Sequence, residues 1–331
     1  MKLSIIIPCL NEEKYIANCI HSVWQNDFPK DQYEIIVVDG GSTDDTLVIL
    51  KGLQSAAPVT MHILHNPMKT PPTAMNIGIE KAAGELIMRL DTHAAYPTNY
   101  ISTLVAYKEK LQAENIGAVA ITEVLNETKT SVAIKKVLSH KFGVGGGLFR
   151  TGTDKITEVD TVPFGCYSKS RLKALGGYDE RLKRNQDIEL NKRLIAKGGK
   201  ILLIPYTHCV YFARETWGKF AKNNFENGKW NVITAYLTRN FGALSMRHFV
   251  PLLFVLSFTL PALLALIYWP FILLSAVSLM SYFSLLTLVV ARMDKTGTSF
   301  WRLLLTFLIL HFSYGCGSLV GLFHLNKLAK K

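Results

Sequence analysis

The longest uncharged stretch of the chain, residues 249–291, most constrains what the chain can fold into. It contains no Asp, Glu, Lys or Arg. As a helix it would be roughly 64 Å long, about twice the thickness of a bilayer core. Trp269-Pro270 lies near its middle, where a turn between two helices is expected. Together with a second uncharged stretch, this predicts a membrane region over residues 249–331 with about three hydrophobic segments, at 249–269, 271–291 and 303–323.

The N-terminal sequence and the cysteines indicate the compartment. The apolar start, Leu3–Ile7, is too short for the core of a signal peptide and is followed by Pro8. The 5 cysteines include no CxxC pair, which is typical of reduced thiols in a cytosolic domain. We therefore expect a multi-pass protein of the cytoplasmic membrane whose N-terminal part lies in the cytosol.

The net charge of the chain indicates which classes of molecule it binds. A net charge of +12 ahead of membrane segments favours an anionic lipid surface and phosphorylated substrates. Nucleic acid is the rival partner of a basic chain. The sequence has no helix-turn-helix, zinc-finger spacing or aromatic RNA-binding signature, so we expect no nucleic acid partner.

The first 120 residues alternate between strand-like and helix-like patterns. This alternation predicts an α/β fold with a mainly parallel sheet covered by helices on both faces. Ligands of such sheets bind beyond the carboxyl ends of the strands, where Pro8, Asp39 and Asp91 fall. The candidate strands are Leu3–Pro8, Tyr33–Asp39, Met61–His65, Glu85–Leu90 and Ile116–Glu123.

Two further segments have a distinctive composition. Residues 124–160 interrupt the alternation and contain the glycine-rich run 143–147, which is either a flexible surface loop or a mobile flap over a substrate. Residues 214–248 are basic and rich in aromatic side chains, which predicts amphipathic helices at the membrane interface.

Four motifs in order carry a family resemblance. They are Pro8-Cys9-Leu10-Asn11-Glu12, Val38-Asp39-Gly40-Gly41-Ser42-Thr43-Asp44, Arg89-Leu90-Asp91-Thr92-His93, and Asn185-Gln186-Asp187 after Gly177-Tyr178-Asp179-Glu180. This set resembles glycosyltransferase family 2, the inverting nucleotide-sugar enzymes with a GT-A fold, over about residues 3–230. The Asp91-Thr92-His93 form is similar to the membrane-anchored, succinoglycan-type exopolysaccharide branch.

The resemblance implies a fold and three segments. It implies a nucleotide-diphospho-sugar transferase domain with a Rossmann-like mixed sheet, followed by transmembrane helices. We accordingly expect a cytosolic catalytic domain over 1–213, interfacial helices over 214–248, and the membrane region over 249–331.

The resemblance also implies the residues that bind a nucleotide-sugar. The loop of Pro8, Asn11 and Glu12 would meet the uridine, with Glu12 toward the ribose hydroxyls, because a carboxylate accepts two hydroxyl hydrogen bonds well. Asp39 would accept the base N–H. Asn76 would lie on the donor side or cap a helix, and Arg89 would pair with Asp91 or contact the donor.

Asp91 and His93 are the candidate metal ligands. A carboxylate and an imidazole two positions apart can converge on one divalent cation, Mn²⁺ or Mg²⁺. By resemblance, the cation would neutralise the departing nucleoside diphosphate as a Lewis acid. In an alternative interpretation, His93 donates a hydrogen bond directly to a phosphate.

The resemblance implies that Asp187 is the catalytic base. An inverting transfer needs one carboxylate to take the acceptor proton while C1 is attacked opposite the leaving group. Glu189 is the second candidate for this role. In a purely structural interpretation, Asp187 only begins a helix at Ile188.

The segment Glu226-Asn227-Gly228-Lys229-Trp230 departs from the family's Gln-x-x-Arg-Trp signature of processive synthases. We therefore favour the transfer of one sugar to a polyprenyl-diphosphate-linked saccharide, with Lys229 and Trp230 at the acceptor or diphosphate. A membrane-interface anchor is the alternative for these two residues. The alternatives for the whole chain are a processive synthase and an inactive nucleotide-binding scaffold. Other polysaccharide-assembly proteins are expected partners.

Overall fold

The computed structural model describes residues 1–239 and 245–328, with side chains described up to residue 325. The chain divides into two compact units. The sheet unit comprises Met1–Thr122 and Leu148–Phe212. The helical unit comprises Glu123–Gly147 and the chain from Ala213 onward. One boundary thus falls between Phe212 and Ala213, while an internal segment of the chain belongs to the helical unit.

The sheet unit begins with a parallel sheet. Its first elements are β1 (Leu3–Cys9), α1 (Ile16–Trp24), β2 (Tyr33–Asp39), α2 (Thr46–Ser55), β3 (Thr60–His65), α3 (Pro71–Lys81) and β4 (Leu86–Arg89). β1 pairs in parallel with both β2 and β4, and β2 pairs in parallel with β3. Every residue of β2 is buried, as expected for a parallel strand with helices on both faces.

The sheet continues with short or antiparallel strands. The remaining elements of this unit are β5 (Ala94–Ala95), α4 (Tyr100–Leu111), β6 (Asn115–Glu123), α7 (Leu148–Thr151), β7 (Thr157–Glu158), β8 (Cys166–Ser168), α8 (Lys169–Ala174), α9 (Gln186–Ala196) and β9 (Ile201–Phe212). The strand order is β3-β2-β1-β4-β8-β6-β9-β5, with β7 beside β9. β8 is antiparallel to β4, so the sheet is mixed, as the resemblance implies.

The side chains of β1 point alternately to the two faces of the sheet and contribute to a hydrophobic core on each face. Ile5 and Ile7 pack in the same cluster as Ile20 of α1, whereas Ile6 packs in the cluster that contains Met75 of α3. Successive side chains of a strand point to opposite faces, so one apolar strand supplies both cores. The polar residues that follow the parallel strands are therefore attached to a sheet that is packed on both faces.

The helical unit collects the apolar end of the chain and one internal segment. Its helices are α5 (Lys129–Leu138), α6 (Lys141–Val144), α10 (Trp217–Leu237), α11 (Val250–Leu264), α12 (Phe271–Arg292) and α13 (Phe300–Leu328). Among the described residues, 2 helices are long and apolar enough to cross a membrane, Phe271–Arg292 and Phe300–Leu325. Val250–Leu264 is a shorter apolar helix.

Close glycine contacts pack α10 against α13. A Cβ atom on Gly317 would lie 2.8 Å from the backbone carbonyl carbon of Phe225, and one on Gly321 would lie 2.7 Å from the carbonyl oxygen of Lys229. Small residues four positions apart let two helix backbones approach closely. The glycine spacing of α13 is thus used for packing within this chain.

The glycine-rich segment has more structure than either a loop or a flap predicts. Lys141–Val144 forms the short helix α6. Within the helical unit, the carbonyl oxygen of Phe142 lies 3.0 Å from His311 Nε2, and His311 Nδ1 lies 2.8 Å from the Tyr282 hydroxyl. The segment is therefore connected to α13 through an imidazole.

Candidate active site

The carboxylate of Asp39, at the end of β2, organises the turn that follows it. Its oxygens accept hydrogen bonds from the backbone N–H groups of Gly41, at 2.8 Å, and Ser42, at 3.0 Å. Gly41 has a φ of 79°, a left-handed conformation that glycine adopts without steric cost. Asp39 is only 2% exposed, so its predicted contact with a base would use a carboxylate that the turn already holds.

The loop after β1 is tied to the same turn. The N–H of Asn11 donates to Ser42 Oγ at 2.8 Å, and Asn11 Oδ1 accepts from the N–H of Thr43 at 2.8 Å. The N–H of Glu12 donates to Thr46 Oγ1 at 2.7 Å. In the parallel register, Pro8 lies beside Val38. The predicted nucleoside-binding residues of the two loops therefore form one continuous surface.

Glu12 and His93 make a close contact that the sequence does not predict. Glu12 Oε2 lies 3.1 Å from His93 Nε2, and both side chains are largely buried. The ring of Tyr15 packs on the imidazole, with 4.1 Å between the ring centroids. The structure thus brings the predicted ribose contact and the predicted metal ligand together. Neither the spacing of the motifs nor Tyr15 itself signals this contact in the sequence.

Asp91 folds the turn beyond β4. Its Oδ1 accepts a hydrogen bond from the N–H of His93 at 2.9 Å, and its own N–H donates to the Tyr96 hydroxyl at 2.8 Å. Within the described part of the chain, no donor contacts the second carboxylate oxygen of Asp91. That oxygen is a chemically suitable ligand for a divalent cation.

Asp187, in the first turn of α9, forms an ion pair with Arg89 of β4. Arg89 is 8% exposed, and Asp187 is partly exposed. Burial alone would lower the pKa of Arg89, but the charge of Asp187 raises that pKa above its usual range. The partner of Arg89 is therefore Asp187, rather than the predicted Asp91.

Asn76 of α3 holds the loop that leads to Asp187. Its Nδ2 donates to the Tyr178 carbonyl at 2.9 Å and to Glu180 Oε1 at 2.8 Å, and its Oδ1 accepts from the N–H of Tyr178 at 2.8 Å. The amide therefore anchors the loop, which differs from both predicted roles, donor contact and helix capping.

Glu189 has a structural partner. Its two oxygens accept from Arg193 Nε, at 2.6 Å, and Arg193 Nη2, at 2.8 Å, and Glu189 is buried. Arg193 also donates to the carbonyls of Leu175 and Gly177. Because Glu189 is buried whereas Asp187 is partly exposed, Asp187 is the better candidate for the base.

Lys229 and Trp230 lie on α10 of the helical unit, and both are half-buried. The neighbouring Gly228 packs closely against α13, because a Cβ there would lie 2.8 Å from the Tyr314 carbonyl carbon. In this structure the Glu226–Trp230 segment belongs to a helix contact. The other predicted site residues belong to the sheet unit.

The donor set at Asp91 fits a cation that is shared with a substrate. Among the described residues, no group of three or more His, Cys, Asp and Glu side chains could hold a metal by itself. Mg²⁺-type sites commonly use one or two carboxylates together with substrate phosphates and water. Asp91 offers one such oxygen, whereas His93 Nε2 already contacts Glu12.

Comparison with known sequences identifies the family of the N-terminal part of the chain. Residues 4–162 match the family Glycosyl transferase family 2. A dolichyl N-acetyl-α-D-glucosaminyl phosphate 3-β-D-2,3-diacetamido-2,3-dideoxy-β-D-glucuronosyltransferase of Methanococcus voltae is 29% identical over 230 residues, which cover 68% of this chain and 71% of that protein. The succinoglycan biosynthesis protein ExoA of Rhizobium meliloti is 30% identical over 215 residues, 63% of each chain.

Solved structures agree on the fold. The Pyrobaculum calidifontis mannosyltransferase PcManGT, in complex with GDP-Man and Mn²⁺, matches with a TM-score of 0.62 at 14% identity, over 98% of this chain and 86% of that one. S. aureus TarS 1-349 in complex with UDP-GlcNAc matches with a TM-score of 0.55 at 18% identity, over 96% and 90%. These structural matches show that the fold is GT-A. Residues 4–162 thus form a domain of glycosyltransferase family 2.

Proposed function

We propose that this protein is an inverting glycosyltransferase that moves one sugar from a UDP-sugar to a lipid-linked saccharide in the synthesis of a cell-surface polysaccharide. The observation that carries the proposal is the pairing of Asp187 with Arg89, two residues before Asp91. It joins the candidate base to the strand that leads to the candidate diphosphate ligand.

The proposed roles follow from the geometry of the sheet edge. The Asn11–Glu12 loop and the Asp39 turn would bind the nucleoside, since they form one hydrogen-bonded surface. Asp91 would hold the diphosphate through a divalent cation, Mn²⁺ or Mg²⁺, which when bound supplies charge neutralisation for the leaving group. His93 would support this region either as a second ligand or through its contact with Glu12.

Asp187 would act as the base. Its carboxylate would take the proton of the acceptor hydroxyl as that oxygen attacks C1 from the face opposite the diphosphate. The glycosidic bond forms as the bond to the diphosphate breaks, so an α-linked donor would give a β-linked product. Proton transfer of this kind typically contributes about 10²–10⁴ to the rate.

The acceptor is proposed from the relatives and from the helical unit. The name of the M. voltae relative specifies a dolichyl-phosphate-linked acceptor. Here, exposed apolar side chains such as Leu266 and Ile267, at 86% and 87%, would enter a membrane. The name of a Campylobacter jejuni relative, GalNAc(5)-diNAcBac-PP-undecaprenol β-1,3-glucosyltransferase, specifies a diphosphate link. We propose a polyprenyl-diphosphate-linked acceptor of this kind, with Lys229 and Trp230 near the acceptor or membrane interface. Neighbouring polysaccharide-assembly proteins are the proposed protein partners.

The proposed topology places residues 1–213 in the cytosol and residues 214–248 at the interface. The helices beyond 249 would form a multi-pass anchor in the cytoplasmic membrane. Arg292, Lys295 and Arg302 flank the connection between α12 and α13. Such positive charge favours the cytosolic side.

The test is donor screening with purified protein and membrane lipid extract, with and without Mn²⁺. Nucleoside diphosphate release and the anomeric configuration of the product are measured. Asp187→Asn should lower turnover by about 10²–10⁴-fold, whereas Asp45→Asn, a change at an exposed acid, should not. A folded Asp187→Asn protein with wild-type turnover, or a product with retained configuration, would refute the proposal.

A further inference from the structure

We propose that Arg89 is a positioning residue that fixes the Asp187 carboxylate and, through β4, sets its distance from Asp91. This inference rests on the proposed function, because it assigns to Arg89 a role in the transfer that Asp187 would catalyse. It replaces the expectation that Arg89 contacts the donor.

The backbone of Arg89 is held from both sides. β4 pairs in parallel with β1, where Arg89 lies opposite Ile6, and antiparallel with β8. The N–H of Arg89 donates to the Gly165 carbonyl at 3.3 Å, and the next N–H, that of Leu90, donates to the Ile6 carbonyl at 3.0 Å. A residue held on both sides by the sheet is a fixed support for its side chain.

The guanidinium of Arg89 is buried, and its charge is directed to Asp187. Arg89 is 8% exposed, and its Nη1 donates to Asp187 Oδ1. Its Nε is buried and has no hydrogen-bond partner among the described residues. A buried cation is tolerated when a carboxylate pairs with it. The ion pair is therefore the main compensation for burying Arg89, and it holds Asp187 in place.

The backbone before Asp187 does not by itself fix the direction of the Asp187 side chain. Asn185, at the N-cap of α9, has a φ of 62°, so the chain changes direction directly before the candidate base. The helix end fixes the backbone of Asp187 but leaves the rotation of its side chain to other contacts. The contact that the structure gives this carboxylate is with Arg89.

The spacing Arg89-x-Asp91 then fixes the position of the base relative to the diphosphate. Residues two apart on an extended segment point to the same side, and Asp91 lies two residues beyond the end of β4 at Arg89. One segment of chain therefore positions both the base, through Arg89, and the diphosphate, through Asp91. An in-line displacement depends on this relation, because a misplacement of about 1 Å can cost about 10²-fold in rate.

The experiment compares Arg89→Met, Arg89→Lys, Asp187→Asn and the double variant Arg89→Met/Asp187→Asn. The matched control is Arg171→Met, which removes a guanidinium that lies 3.7 Å from Glu114 in the same unit. Arg89→Met should lower kcat by about 10²-fold, with the donor KM and the Kd for UDP within about threefold of wild type. Arg89→Lys, which keeps the charge but loses the fork geometry, should recover part of this loss.

The double variant separates positioning from an independent role. If Arg89 acts through Asp187, Arg89→Met should cause no further loss of turnover when Asp187 is already Asn. A raised donor KM with an unchanged kcat, or losses that multiply in the double variant, would overturn the proposal. Wild-type turnover by a folded Asp187→Asn protein would instead refute the proposed base.

Thermal melting of the same variants tests the ion pair between Arg89 and Asp187 independently of turnover. Asp187→Asn leaves the buried Arg89 charge uncompensated, so its Tm should fall, and adding Arg89→Met should raise the Tm again. Independent, additive Tm losses would contradict the ion pair as the main compensation for Arg89.

Discussion

The two units differ in the kind of polar group that they bury. The sheet unit buries charged groups, the carboxylate of Asp39 and the guanidinium of Arg89. Among the described residues, the polar side chains that the helical unit fully buries are neutral. Examples are Thr306, whose Oγ1 accepts from the Trp217 indole N–H at 3.0 Å, and Asn231, whose amide lies 2.5 Å from the Tyr314 hydroxyl. Burying a charge costs far more than burying a neutral polar group.

This difference suggests a division of labour. In the sheet unit, charged groups are buried where they position a carboxylate of the candidate active site. In the helical unit, neutral hydrogen bonds can set the register of apolar helices without the cost of burying a charge. We therefore expect substitutions at the sheet edge to lower activity more than stability, and substitutions between the helices to do the reverse.

Apart from Asp187→Asn, the largest expected effect is on activity, at Asp91. Asp91→Ala removes the proposed cation ligand and should lower kcat/KM by about 10²–10³-fold, because a Lewis acid stabilises the leaving group by several kcal/mol. Its Tm should stay near the wild-type value. Turnover and UDP binding are measured across a Mn²⁺ titration and after chelation, with Asp45→Ala as the matched control. UDP binding that remains metal-dependent in Asp91→Ala would contradict the assignment.

The next effect is on stability, at Gly317. A methyl group there would collide with the backbone of α10 at Phe225, so Gly317→Ala should cost about 1–3 kcal/mol. Gly218→Ala is the matched control, since a Cβ on this helical glycine meets nothing within 4 Å and should stabilise α10 by up to about 1 kcal/mol. Melting in detergent is compared with the turnover of the folded fraction. A loss of turnover at an unchanged Tm would break the proposed division between the units.

Local sequence signals predict much of the sheet unit. β2, predicted and observed as Tyr33–Asp39, is an apolar run that ends in an acid and a glycine turn, and both signals are local. The ion pair between Arg89 and Asp187 joins residues that are 98 positions apart. A single sequence contains no signal for which distant charges meet, so the resemblance gave Asp187 a role but could not give it a partner.

Hydropathy likewise predicts the apolar helices but not what packs on them. The predicted segment 271–291 corresponds to Phe271–Arg292, and 303–323 lies within Phe300–Leu328. The predicted segment 249–269 is shorter in the structure, because the helix ends at Leu264 ahead of the turn to Pro270. The contact of Thr130 on α5 with Arg302, at 2.7 Å, depends on tertiary packing that periodicity does not encode.

Asn76 should show an intermediate effect on both properties. Asn76→Ala removes the hydrogen bonds that anchor the loop at Tyr178 and Glu180. We expect a loss of about 1–3 kcal/mol of stability, because the backbone groups of the buried Tyr178 lose their bonds to the amide. We also expect about a tenfold loss of kcat, because the loop leads to Asp187. Gln54→Ala, which removes one amide bond to the Met61 carbonyl, is the control. A raised donor KM with an unchanged kcat would instead support the donor-side role predicted from the sequence.

The smallest expected effect is on stability, at Asp44. It tests whether a carboxylate that is not buried contributes less to stability than the buried contacts of the sheet unit do. Slight burial alone would raise the pKa of Asp44, but hydrogen bonds from Thr46 and the backbone N–H of Glu13 lower that pKa below its usual value. A carboxyl with a lowered folded pKa stabilises the fold above its unfolded pKa of about 3.9, and this contribution is lost as the pH falls through the folded pKa.

Asp44→Asn should therefore lower the stability at pH 7 by only about 0.5 kcal/mol, because solvent weakens an exposed charge. This corresponds to a Tm difference of about 1–2 °C, which should shrink as the pH falls below about 4. Melting is measured for wild type and variant from pH 7 to pH 3, with Asp45→Asn in parallel. A difference that stays constant across this range would assign the effect to shape rather than charge. A difference as large as that expected at Asn76 would mean that exposed carboxylates support this edge as strongly as its buried contacts do.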